Sequence, residues 1–362
     1  MKNKTVIIVY VILAFVCCKQ PTIEENVYSP IPLDDGWELS SPSEQGLNKQ
    51  VFDTVYRQAA IHNNIYSIVV VKNGFIISER YYNGMEHSDA NSIASVTKSY
   101  ISALTGIAIR ERVIPGINAK LMDYFPEIDW ESLDPRKMEI TIQQMLQMRT
   151  GYPWEEREGY YNTVWERRND LIPLLAEFPL TSNPGTTWGY SNMTSHFLGI
   201  IIARAYSDSI LSFGNKYLFG PLRVIVKAWP RDSHDYYFGS GDIFFTPREM
   251  ARFGLLYLNK GVYKGLQLIP TKWIEESLTP YSFDILAPAT IKGIQNLHYG
   301  YQWYCGTSGT HDYHFAWGQG GNFIFILHDL NMVITVTADS TQRAWEKTRV
   351  IFEMMGEFIS KL

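Results

Sequence analysis

Residues 67–82 read SIVVVK, then Asn73-Gly74, then FIISERYY. The first run, Ser67 to Lys72, is β-branched, and the second, Phe75 to Tyr82, is rich in β-branched and aromatic residues. Asn-Gly between them predicts a hairpin, because both residues tolerate positive φ. A matching pair lies near the other end of the chain. Asn322–His328 (NFIFILH) and Met332–Thr337 (MVITVT) flank Asp329-Leu330-Asn331. Helical spacing of apolar residues dominates what lies outside the hairpins, at Val51–Ala60, Thr97–Glu111, Ile142–Met148, Ser195–Tyr206, Arg248–Leu258 and Trp345–Ile359. Thr246-Pro247 offers a cap and a first helical position to the fifth of these. Strands at both ends with helices between predict an α/β (α+β) fold. One antiparallel sheet is built from N- and C-terminal strands and flanked by helices, and a mostly helical lobe spans about 100–240. The junction of the two is where a cleft is expected.

The chain has 362 residues, 46% hydrophobic and 19% charged, with a formal net charge of −5. This is the composition of a globular protein with a large core. No long basic stretch is present, so nothing points to a nucleic-acid partner. At the N-terminus, Lys2 and Lys4 precede an apolar run from Val6 to Val16, followed by Cys17 and Cys18. Eleven apolar residues are too few to span a bilayer and suit the h-region of a secretory leader. The expected layout is a leader over 1–18 with Cys18 as lipid anchor, a tether over 19–45, and a folded domain over 46–362. Membrane contact is then through the anchor alone. Cys305 is the only cysteine far from the leader and is read as a buried small hydrophobe.

Three local signals carry chemistry. The first is Ser95-Val96-Thr97-Lys98. A serine hydroxyl is a poor nucleophile at neutral pH and needs an adjacent base. A lysine three residues on, at a helix start, lies on the same face and can serve if burial lowers its pKa. The competing reading is a helix cap beside a solvated lysine. The second is Tyr190-Ser191-Asn192, preceded by PGTTWG over 184–189. A phenol beside an ammonium can shuttle protons, and the Asn192 amide can orient its neighbours. A buried tyrosine and an N-cap asparagine are the alternative. The third is Trp317-Gly318-Gln319-Gly320-Gly321 at a strand entry, where glycine lets a ligand approach backbone N–H groups, or simply makes a turn.

In order and spacing these signals resemble the serine β-lactamase and penicillin-binding protein superfamily. The resemblance runs from about 45 to 362. It extends to MRTG at 148–151, GSGD at 239–242, ARFG at 251–254 and YGYQW at 299–303. It is closest to the branch holding class C β-lactamases, esterases, DD-peptidases and 6-aminohexanoate-dimer hydrolases. It implies Ser95 as acylated nucleophile, Lys98 as its activating partner, Tyr190 as base or shuttle, and Asn192 as positioning residue. A second oxyanion donor is implied at the Gln319 N–H, with Gly320 beside it. No cofactor is implied. The last motif departs from the superfamily's Lys-Thr-Gly or His-x-Gly, since Trp317–Gly321 carries no cation. This disfavours substrates with a carboxylate.

The expected function is therefore a serine hydrolase of a small ester or amide, exported to the cell envelope. The alternatives are a DD-peptidase or β-lactamase, and a non-catalytic ligand-binding lipoprotein. Tyr152 and Trp154 are candidates for the cleft lining. Glu155, Glu156 and Glu158 read as a solvated acidic face. His311 and His314 lack a further ligand at convincing spacing, so no metal is expected.

Overall fold

The structure, a computed structural model, describes residues 27–286 and 291–362. The leader, with Cys17 and Cys18, lies outside the described residues. Twelve strands are formed among those described: β1 Glu38–Leu39, β2 Ile65–Lys72, β3 Phe75–Tyr81, β4 Asn91–Ser92, β5 Phe244–Phe245, β6 Val262–Tyr263, β7 Leu266–Gln267, β8 Gln295–Tyr299, β9 Tyr304–Ser308, β10 His311–Gly318, β11 Asn322–Leu327 and β12 Met332–Ala338. Eight of them make one sheet in the order β1-β3-β2-β12-β11-β10-β9-β8, antiparallel except where β1 runs parallel to β3. The N-terminal hairpin joins the C-terminal strands through β2 and β12, in register from Met332 opposite Lys72 to Val336 opposite Ile68. Asn73 and Gly74 both sit at positive φ, 52° and 85°, as their hairpin requires.

The central strands are apolar on both faces because both are covered. Ile68 and Val70 point into one core with Phe52, Phe325 and Phe352, whereas Val69 and Val71 point into the other with Tyr100, Phe253 and Ile324. The first core lies under helices Lys49–Ala60 and Trp345–Ile359. The second lies under helices Pro247–Leu258 and Thr97–Arg110. Thr246 caps Pro247–Leu258 in a capping box with Glu249. Between residues 110 and 240 the chain is helix and loop. Its longest helix there, Asn192–Tyr206, is buried along most of its length and starts three residues earlier than expected, because the Ser191 hydroxyl accepts from Thr194 N. Among the described residues no single helix is long and apolar enough to cross a membrane. The segment 291–318, not read as strand in the sequence, supplies β8, β9 and β10.

The expected tether is corrected over its described part. Tyr28 is buried and stacks on Tyr56 with ring centroids 4.7 Å apart. Its hydroxyl donates to Asp53 Oδ1 at 2.6 Å, and its carbonyl accepts from Glu79 N at 2.9 Å. The strap is held by Arg248, which reaches Asp35 Oδ2 at 2.9 Å, the Ile31 carbonyl at 2.6 Å and Glu79 Oε1 at 2.5 Å. Both Arg248 and Glu79 are buried. Removing one member leaves an uncompensated buried charge. Arg248→Met is expected to lower the unfolding free energy by about 3–5 kcal/mol in chemical denaturation. Adding Glu79→Leu is expected to recover a good part of the loss.

Candidate active site

The turn that carries Ser95 is clamped before helix Thr97–Arg110 begins. Ala94 N donates to Ser92 Oγ at 3.1 Å, Ser92 Oγ donates to Asp242 Oδ1 at 2.5 Å, and Asp242 N donates to the Ala94 carbonyl at 3.3 Å. Ala94 is held at φ 45°, a conformation that costs an L-residue about 1–2 kcal/mol. Ser95 and Lys98 then fall on one face, with Lys98 Nζ 3.0 Å from Ser95 Oγ.

Lys98 is almost fully buried. Its Nζ also donates to Asn192 Oδ1 at 2.8 Å and to the Ser240 carbonyl at 2.5 Å. The Tyr190 ring centroid lies 4.8 Å from the same atom. Burial pushes the Lys98 ammonium down to about 8, against the pull of Glu156, Glu155 and Asp242, which favour the cation. Burial, and after it the charge of Glu156, hold the Tyr190 phenol well above its usual range, against the pull of the Ser95 hydroxyl, which favours the ionised form. It is a neutral phenol at rest.

Tyr190 and Asn192 are delivered by a loop that the MRTG stretch braces. Gly189 N donates to the Met148 carbonyl at 2.9 Å and Gly185 N to the Arg149 carbonyl at 2.7 Å, while the Thr150 and Thr194 hydroxyls meet at 3.2 Å. The GSGD stretch contributes the Ser240 carbonyl and Asp242. At the end of β10, a Cβ on Gly318 would lie 2.4 Å from the Ile93 carbonyl oxygen and 3.2 Å from Ser95 N. Only glycine allows that approach, and it brings the following residue, Gln319, to the cleft beside Ser95.

The cleft has a volume of about 580 Å³. Trp154, Trp188 and Tyr190 pack against one another in its wall, and Tyr304, Trp317 and Trp345 do so as well. Glu156, Glu166 and Asp242 also line it. Arg343 is the only cationic side chain among its described lining residues, and it is paired with Glu166.

Ser95, Lys98, Tyr190, Asn192 and Gln319 thus come together. Two expected members do not. Tyr152 is absent from the cleft lining, and its hydroxyl donates to the Leu175 carbonyl at 2.8 Å within the helical core. Gly320 is absent as well. Its carbonyl accepts from Asn64 Nδ2 at 3.3 Å, and a Cβ there would lie 2.2 Å from the Asp339 carbonyl oxygen. Trp154 does line the cleft.

The solvated reading of the acidic run is corrected for Glu155. Glu155 is fully buried, and its Oε1 accepts from Ser191 Oγ at 2.8 Å and Met193 N at 3.1 Å, its Oε2 from Asn192 N at 3.2 Å. The free N–H groups at the start of helix Asn192–Tyr206 draw it in. Burial pushes its carboxyl up to about 7, and these bonds pull the other way. Glu156 accepts from Asn192 Nδ2 at 3.0 Å. Glu156 and Glu158 are both exposed. Cys305 is buried, its thiol 3.6 Å from the Leu278 carbonyl.

The 6-aminohexanoate-dimer hydrolase of Paenarthrobacter ureafaciens is 24% identical over 254 residues, which span 66% of this chain and 64% of that relative's own length. Among solved structures, the D-amino acid amidase of Ochrobactrum anthropi SV3 superposes with a TM-score of 0.64 at 16% identity, covering 86% of this chain and 98% of its own. EstCE1, described as a hydrolase with promiscuous acyltransferase activity, gives 0.68 at 13% identity over 88% of this chain and all of its own. At such identities these structures show the shared fold. The family model described as Beta-lactamase matches residues 61–351, an interval that takes in the whole clustered site, and the chain belongs to the beta-lactamase family.

Proposed function

We propose that this protein is a serine hydrolase that cleaves an ester or amide through an acyl-Ser95 intermediate. The observation that carries the reading is the buried Lys98 amine at 3.0 Å from Ser95 Oγ, with the Tyr190 ring centroid 4.8 Å from the same amine. Two acceptors, Asn192 Oδ1 and the Ser240 carbonyl, hold two N–H groups of that amine. In the neutral amine the remaining position is a lone pair, and it faces the Ser95 hydroxyl. Lys98 takes the Ser95 proton as Oγ bonds to the substrate carbonyl carbon. The oxyanion is held by the Ser95 and Gln319 N–H groups. Tyr190, a neutral phenol, donates its proton to the leaving group and is reprotonated from Lys98. Water then attacks the acyl carbon, its proton passing through Tyr190 to Lys98, and as the acyl carbon–Oγ bond breaks Lys98 gives that proton to Ser95 Oγ, releasing the acid and the free serine.

The cleft supports a neutral or cationic substrate over an anionic one. Its one described cation is engaged by Glu166, and three carboxylates line it. The β-lactam and D-Ala peptide reading is favoured by no residue here. The ligand-binding reading is opposed by the complete Ser95, Lys98 and Tyr190 cluster. Export and lipid attachment at Cys18 belong to the same proposal, supported by the apolar run from Val6 to Val16 ahead of the cysteines.

Three outcomes test it. Ser95→Ala is expected to abolish labelling by a fluorophosphonate and all turnover in a panel of nitrophenyl esters, linear aminohexanoate amides, a D-Ala-D-Ala peptide and a chromogenic cephalosporin. Residual turnover in the variant would refute the nucleophile. Tyr190→Phe is expected to lower kcat by roughly 10²–10⁴-fold with little change in KM. Because the acting base is the neutral amine, kcat/KM is expected to rise with pH along a limb centred at about 8 and to fall below it. A limb centred near the ordinary lysine range would show that Lys98 is solvated instead.

A further inference from the structure

We propose that Glu156 is a positioning residue: its carboxylate takes the Asn192 Nδ2–H, fixing the amide so that Oδ1 faces Lys98 and the Lys98 lone pair is left for Ser95. The proposal rests on the hydrolase reading above and adds to it a residue outside the nucleophile, base and shuttle.

An asparagine amide presents two ends of nearly equal shape and opposite polarity. Asn192 stands between Glu156 Oε1, 3.0 Å from its Nδ2, and Lys98 Nζ, 2.8 Å from its Oδ1. A flipped amide would set Oδ1 against a carboxylate and Nδ2 against an amine. With Nδ2 donating to it, the neutral Lys98 would turn its lone pair toward Asn192 and offer Ser95 an N–H instead. Glu156 therefore decides which way the base points. The neighbouring Glu155 fixes the same residue from the other side, since its carboxylate accepts from Asn192 N and Met193 N. The two consecutive carboxylates thus set the backbone and the side chain of one asparagine.

The charge of Glu156 acts in the same direction as its geometry. The ionisable groups facing Lys98 are Glu155 and Glu156 from the 154–158 segment and Asp242 from the 239–242 segment, with the Tyr190 phenol beside it. Glu156 is the largest of the three acidic influences that favour the ammonium. Removing its charge while keeping its shape shifts Lys98 deprotonation to lower pH. Removing the acceptor altogether frees the amide.

The two consequences separate in two variants assayed with a neutral nitrophenyl ester. Glu156→Ala is expected to lower kcat about tenfold or more with KM changed less than about threefold. Glu156→Gln keeps an oxygen that can accept from Asn192 Nδ2. It is expected to recover most of kcat, with the acid limb of kcat/KM moved to lower pH. An unchanged kcat in Glu156→Ala overturns the proposal. So does an effect confined to KM and to cationic esters, which would make Glu156 a substrate contact. A third measurement is independent of turnover. Side-chain ¹⁵N NMR of the lysine-labelled protein reads the Lys98 titration directly. A lower midpoint in Glu156→Gln is expected, and an unchanged one overturns the proposal. Failure of wild-type Ser95 to acylate sinks the hydrolase reading by itself and leaves this titration to judge Glu156.

Discussion

Everything at this site depends on burying one amine. A lysine in water is protonated and useless as a base at neutral pH, so the role proposed for Lys98 requires it to be dry. Dryness has to be built from separate parts of the chain. The helix after Ser95 supplies the lysine, the start of helix Asn192–Tyr206 supplies an amide oxygen, and the loop before β5 supplies the Ser240 carbonyl. Tyr190 closes over the amine with its ring. None of these segments can hold its position alone. The sheet gathers them, with the β2–β3 hairpin leading through β4 to Ser95 and β10 ending at Gly318 against the same turn.

The parts of this arrangement that the sequence made readable are those set by local rules. The hairpin around Asn73-Gly74 follows from the φ tolerance of two residues, and the helix after Thr246 from a capping box four residues long. Ser95 and Lys98 are three apart, so their meeting needs only a helix. The misreadings share the opposite cause. EERE over 155–158 is indistinguishable in composition from a solvated face, and Glu155 is buried because a helix start 36 positions further on lacks partners for its N–H groups. Residues 28–39 look like a linker, with Pro30, Pro32, Asp34 and Asp35 close together, and are docked by an arginine more than two hundred positions away. Strands β8 to β10 carry His, Asp, Tyr and Gly where apolar alternation was sought. They are held in the sheet in succession, β8 on β9, β9 on β10, and β10 on β11, which is unmistakable on its own. Tyr152 follows the MRTG stretch in sequence but turns its hydroxyl to the Leu175 carbonyl, a partner only the packed lobe provides.

The aromatic content has a double use. Most rings are core, as in the stack of Tyr100 on Phe253 with centroids 3.7 Å apart. A minority wall the cleft, and their value there is partly to exclude water. Trp154 and Trp188 meet edge to face at 5.1 Å and each lies near 6.2–6.3 Å from the Tyr190 ring. A rigid apolar surround strengthens every polar contact inside it, so the same rings that wall the cleft also keep Lys98 desolvated.

Desolvation alone would overshoot. A lysine buried with no negative charge nearby can lose its proton several units below the ordinary value and is then a weak base with little drive to take a proton from a hydroxyl. The most effective base sits near the working pH. Glu156, Glu155 and Asp242 oppose the burial and leave Lys98 at about 8. The same carboxylates would be costly if they only repelled one another, but each is anchored to a donor: Glu155 to Ser191 and backbone N–H groups, Glu156 to Asn192, Asp242 to Ser92. The acidic groups around Ser95 are thus one device with two outputs. They set how strongly Lys98 holds its proton, and through the donors that anchor them they hold Asn192 and the Ser95 turn in place.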